Sequence, residues 1–96
     1  MDGTGGGTGG VEVTVRYFAG AKAAAGLGEE SVIVPVPGSG APTVAGLVEV
    51  IVQRHGPRLA QVLTACTFLV DEVAGGSDRP LRDGVQVDVL PPFAGG

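Results

Sequence analysis

Strict alternation opens the patterned part of the chain. In VEVTVRY, Val11, Val13, Val15 and Tyr17 share one face, while Glu12, Thr14 and Arg16 share the other. That period of two predicts a half-buried strand. FAGAKAAAGLG then reads as an Ala/Gly turn segment, and SVIVPV (Ser31 to Val36) as a second strand. Pro35 cannot donate to a ladder, which puts this strand at a sheet edge. After the loop PGSGAP the period changes. Val44, Leu47, Val48 and Ile51 fall at i, i+3, i+4 and i+7, a helical stripe. Thr43 is placed to cap this helix and Gly56-Pro57 to end it. RLAQVL adds a short helical turn, and TFLVDEV reads as a third strand. GGSDRPLRDG is turn chemistry, with Asp83-Gly84 a tight-turn pair. In VQVDVL the alternation returns, with Val85, Val87 and Val89 inward and Gln86 and Asp88 outward. The order strand, strand, helix, strand, strand predicts an α+β domain. One main helix covers one face of a mixed sheet of four to five strands, and the other face is wet.

Composition narrows this picture. With 96 residues there is room for one small domain. Hydrophobic residues make up 44% but aromatics only 4%, so aliphatic side chains must fill the core. Six of the first ten residues are glycine, which predicts a disordered lead over residues 1–10, a domain over 11–90 and a tail over 91–96. Gly5, Gly7 and Gly10 fit G-x-G-x-x-G, but they precede the first strand, where no dinucleotide loop belongs. The net charge of -4 argues against nucleic acid and anionic membrane surfaces as partners. No apolar run approaches the ~20 residues of a membrane span, and no signal-peptide pattern opens the chain. With Cys66 the single cysteine, no internal disulfide forms, and a reducing cytoplasm is the expected compartment.

Catalytic constellations are sparse. One cysteine and one histidine cannot build a zinc site, so no metal is expected. His55 reads as a surface residue at a helix C-terminus, and Cys66, among apolar neighbours, as a packed thiol. Glu29, Glu30, Asp71, Glu72 and Asp78 read as solvated carboxylates at turns and strand ends. The chemistry lies in the ending, VLPPFAGG. Pro91 and Pro92 stop the last strand. The six residues Pro91, Pro92, Phe93, Ala94, Gly95 and Gly96, if extended, span about 20 Å, enough to thread a partner's pocket. Glycine at the last two positions removes every Cβ from the tip, so it passes a slot too narrow for side chains. The α-carboxylate of Gly96 has a reference pKa of about 3.3–3.7 and is ionised at neutral pH. It can attack the α-phosphate of ATP and become an acyl-adenylate. Because glycine already makes up 18 of 96 residues, the final pair gains weight only from the strand and prolines before it.

Three stretches together, VRYFAGAK, TVAGLVEVI and PLRDGVQVDVLPPFAGG, resemble the MoaD/ThiS family of sulfur-carrier proteins, above all its molybdopterin synthase small-subunit branch. The resemblance runs from about Val11 to Gly96 and implies a ubiquitin-like β-grasp fold with parallel, adjacent first and last strands. It also implies the chemistry. An E1-like adenylyltransferase uses ATP with Mg to activate Gly96, and a sulfur donor protein converts the adenylate to a thiocarboxylate. The tail then enters the molybdopterin synthase large subunit and delivers sulfur to a pterin precursor. The chain itself binds no cofactor and is a carrier, not an enzyme. Phe18 and Leu90, pointing outward at the tail root, and Val73 or Ala74 in the penultimate hairpin are the implied partner-binding positions. Many members carry Asn where Asp71 stands and Gly-Asp where Gly84-Val85 stands. Alternatives with the same tail are a carrier for cysteine or thiazole synthesis, a ubiquitin-like protein modifier, and an interaction module whose tail is idle.

Overall fold

The computed structural model describes residues 9–38 and 40–92. The elements run β1 (Gly10–Tyr17), α1 (Ala19–Ala25), β2 (Glu29–Pro35), α2 (Val44–His55), α3 (Pro57–Leu63), β3 (Thr67–Val70), β4 (Val73–Gly75) and β5 (Gln86–Leu90). They build a five-stranded mixed sheet in the order β2-β1-β5-β3-β4. β1 and β5 pair in parallel, while every other neighbouring pair is antiparallel. The α+β class and the central parallel pair agree with the sequence reading.

The alternation is honoured in β1 and β5. Val13, Val15, Tyr17, Val85, Val87 and Val89 are buried, and α2 meets them with Val44, Leu47 and Ile51. Each such aliphatic side chain contributes about 1.5–3 kcal/mol on leaving water. β2 lies at the sheet edge. Val36 N–H donates to Gly9 O at 2.7 Å and Tyr17 N–H to Gly28 O at 2.8 Å. Even-numbered β2 residues therefore bond inward to β1, and Pro35 turns its missing N–H to the open side.

Three expectations are corrected. FAGAKAAAGLG is not a turn: Ala19–Ala25 forms the helix α1, which buries Ala21 and packs on α3. Five of its seven residues are alanine, the strongest helix former. Gly26, at φ 84, closes it with an N–H to Lys22 O bond. TFLVDEV is not one strand either, because the chain reverses at Asp71 and Glu72, both left-handed at φ 48 and 73. That is the two-residue hairpin geometry with positive φ at both central positions. Gln86 N–H donates to the Asp71 carboxylate at 3.0 Å, and Asp71 N–H donates to Gln86 O at 2.8 Å, fixing the turn against β5. Thr43, finally, places no side-chain cap on α2. The first helical N–H groups are instead taken by the 77–79 loop, Val44 donating to Arg79 O at 3.0 Å and Ala45 to Ser77 O at 2.9 Å.

Candidate functional site

The tail leaves from the middle of the sheet. β5 is flanked by β1 and β3, in a register that sets Tyr17 beside Val89 and Thr67 beside Leu90. Phe18 N–H donates to Val89 O at 3.2 Å, so the exit of β1 and the end of β5 are tied together. Phe18 and Leu90 are both half-buried at this root, as is Pro91, while Pro92 is exposed. Phe18 also begins α1, its carbonyl accepting from Ala21 N–H at 3.0 Å. Phe93, Ala94, Gly95 and Gly96 lie outside the described residues.

Alternation then decides which side chains share the outward face. Register places Glu29, Arg16, Asp88, Leu69 and Ala74 in one row across all five strands. Ala74 therefore joins Leu90 on the outward face. Val73 does not, since it pairs with the buried Val70 on the helix side and stands 57% exposed at the hairpin tip. Leu69, half-buried in this row, escaped the sequence reading because TFLV reads as one apolar run with no face assigned.

The outward face is drier than alternation predicts. Asp88 is buried at 6% exposure, not solvated. Arg16 lies flat over it, with Nε donating to Oδ1 at 2.9 Å and Nη2 to Oδ2 at 3.1 Å. The Arg16 guanidinium also sits 5.5 Å from the centre of the Phe18 ring. The Asp88 hydrogen bond and then the Asp88 charge push the Arg16 pKa above its ordinary value, so this cation is permanent.

On the helix side the structure corrects two more readings. His55 is not a surface residue and Glu30 is not solvated, their side chains being 13% and 9% exposed. Glu30 Oε2 accepts from Tyr17 Oη at 2.6 Å and lies 2.6 Å from His55 Nε2, while Arg54 Nη1 donates to Oε1 at 2.9 Å. Burial pushes the Glu30 pKa up, but the hydrogen bonds from Tyr17, His55 and Arg54 outweigh it and hold the carboxyl below its usual range. The cluster ties α2 to the sheet and points away from the tail face. Cys66 is half-buried, its Sγ donating to Val62 O at 3.3 Å, and burial pushes its thiol pKa up. A raised thiol pKa disfavours the nucleophilic thiolate. Among the described residues there is no cluster of three metal-ligating side chains, and no helix is long and apolar enough to cross a membrane.

The functional geometry is thus a partly apolar sheet face with a tail leaving its central strand. The ThiS family model matches residues 15–96. The chain is 31% identical over 88 residues to the molybdopterin synthase sulfur carrier subunit of Chlamydomonas reinhardtii, spanning 90% of this chain and 100% of that protein. Among solved structures, a putative molybdopterin converting factor subunit 1 from Pyrococcus furiosus superposes with a TM-score of 0.66 at 28% identity, covering 85% of this chain and 98% of that one. The small archaeal modifier protein 1 from Methanosarcina acetivorans gives a TM-score of 0.72 at 21% identity, covering 91% and 98%, and speaks for the fold alone. The fold these neighbours share is the ubiquitin-like β-grasp.

Proposed function

Because the chain belongs to the ThiS family of sulfur carriers, we propose that Gly96 is the carrying residue and that the sulfur is destined for molybdopterin. The observation that carries this reading is the central position of β5, which launches the chain through Pro91-Pro92 beside Phe18 and Leu90. A tail anchored in the sheet centre has a fixed origin, so a partner that docks on the outward face meets the tip at a defined reach. The curated relative from Chlamydomonas reinhardtii, matched over its full length, supports the molybdopterin branch.

The chemistry needs no catalytic side chain from this domain. In an E1-like adenylyltransferase, a Gly96 carboxylate oxygen attacks the α-phosphorus of ATP, with Mg shielding the phosphates, and pyrophosphate leaves. A sulfur donor protein then delivers hydrosulfide to the acyl carbon, AMP leaves with a proton released, and a thiocarboxylate remains. In the molybdopterin synthase large subunit that sulfur passes to a pterin precursor. Phe18, Leu90 and Ala74 contact the partner, Val73 lies at the edge of the contact, and Phe93, Ala94 and Gly95 thread its channel.

The test is an intact-mass measurement after incubating the chain with the activating enzyme, ATP, Mg and a sulfur donor. Replacement of one oxygen by sulfur, mapped to Gly96, is the expected result. Loss of that product on deleting Gly95 and Gly96, with folding unchanged, completes it. Isopeptide ladders on cell proteins without any thiocarboxylate would instead make the chain a modifier. Co-purification with a cysteine or thiazole synthase would move the sulfur to another acceptor.

A further inference from the structure

The outward sheet face is apolar toward β3, β4 and the tail root, at Leu69, Ala74 and Leu90, but polar and unevenly charged across β1, β2 and β5. Its β1, β2 and β5 positions carry one cation, Arg16, against three carboxylates, Glu12, Glu29 and Asp88, a net charge of −2. The helical layer is the reverse, with Lys22, Arg54 and Arg58 against Glu49 and, from β2, Glu30. The face that launches the tail is therefore the acidic side of the domain. Around Arg16, Asp88 is already matched, and Glu12 accepts from Ser31 Oγ at 2.6 Å. Glu29, the β2 neighbour of Arg16 in the register, and Glu72 in the hairpin turn are exposed, and among the described residues neither has a cation within salt-bridge distance other than the field of Arg16.

Arginine has five N–H donors, and Asp88 takes two of them. Among the described residues, no hydrogen bond uses Nη1 of Arg16. While the face is open, water serves the remaining donors. A partner covering Leu69, Leu90 and Ala74 reaches over the neighbouring Asp88 and Arg16 and removes that water, and an N–H left without an acceptor under it is costly. The partner must therefore bring an acceptor. A carboxylate there would stand beside Asp88 and Glu29 and meet like charge, so a neutral carbonyl is the better match. Glu29 and Glu72 at the rim call for lysine or arginine opposite them.

We propose that the outward sheet face docks a protein partner with an apolar patch for Leu69, Leu90 and Ala74, a neutral carbonyl aimed at Arg16 and a basic rim facing Glu29 and Glu72, so that Arg16 and these two glutamates select the partner. This rests on the carrier reading above and identifies that partner chemically.

The experiment is a calorimetric titration of the full chain with the molybdopterin synthase large subunit at low and high salt. The wild-type dissociation constant rises several-fold with salt. The double variant E29Q/E72Q, altered only at exposed positions, binds about threefold to tenfold more weakly at low salt and like wild type at high salt. The charge swap R16D/D88R keeps an ion pair but moves the guanidinium to the other strand; it melts near wild type and loses about tenfold or more in affinity at any salt. Salt-independent binding, or tighter binding by E29Q/E72Q, overturns the rim assignment, and a swap variant that binds as wild type overturns the role of Arg16. In either case the carrier function stands if the thiocarboxylate still forms. No binding by the wild-type chain at any salt overturns the choice of partner itself.

Discussion

Glu30 shows how much one carboxylate can organise. Three side chains from β1 and α2 converge on it, at sequence separations of 13, 24 and 25 residues. No local pattern reveals such a convergence, which is why a strand-end glutamate next to another glutamate reads as solvated. Glu30→Gln leaves donors facing donors and costs about 1–3 kcal/mol, read as a lower urea midpoint at unchanged slope. The pH sign follows from the lowered pKa of the folded carboxyl. Its stabilisation is complete above the unfolded value of about 4.3 and drains away as pH falls through the lower folded value. The Gln variant therefore loses part of the acid sensitivity of the wild type. Tyr17 is the single tyrosine, and burial, then its bond to Glu30, push its phenol far up. Phenolate absorbance should thus stay flat through pH ~10, where free tyrosine titrates, and rise only when the protein unfolds in alkali.

At the scale of elements, the strands with clean alternation were legible, and so was α2, because the inward valines and the Val44–Ile51 stripe leave few other ways to bury them. The misread elements share a cause. Alanine carries no hydrophobic signature strong enough to mark α1, and its flanking glycines read as punctuation. The β3–β4 hairpin turns on Asp71-Glu72, which lacks the glycine that normally marks a left-handed turn. Glu72 at φ 73 holds a conformation unfavourable for an ordinary side chain. Glu72→Gly should therefore raise stability by about 0.5–1 kcal/mol, visible as a higher melting temperature, once the looser unfolded chain offsets part of the gain. In α2, Leu47 is fully buried against the sheet, and Leu47→Ala should cost about 2–5 kcal/mol by the cavity it leaves, checked by the same denaturant titration.

For the molecule as a whole, the family was legible in the ending, because VLPPFAGG needs only a strand, a stop and two glycines to be recognised. The make-up of the outward face was not. It takes register to put Leu69 beside Asp88, and side-chain geometry to show that Arg16 lies over Asp88 rather than reaching into water. With Gly96 as the proposed carrying residue, stability and function are separable, since the core ends at β5 and that residue lies beyond it. Deleting Gly95 and Gly96 should leave the melting temperature within about a degree of wild type, because surface and terminal changes stay within roughly ±0.5 kcal/mol, while sulfur loading is lost.

The parallel pairing of β1 with β5 also sets an order of events during synthesis. β1 is among the first segments to emerge from a ribosome, yet its inner neighbour is the last strand to be made, some seventy residues later by the register of Thr14 with Gln86. Until then β1 has only β2 beside it, and the central slot of the sheet stands empty. A message broken or a translation aborted before Leu90 yields a polypeptide with neither a closed core nor a tail. Proteases can clear such a fragment before it accumulates.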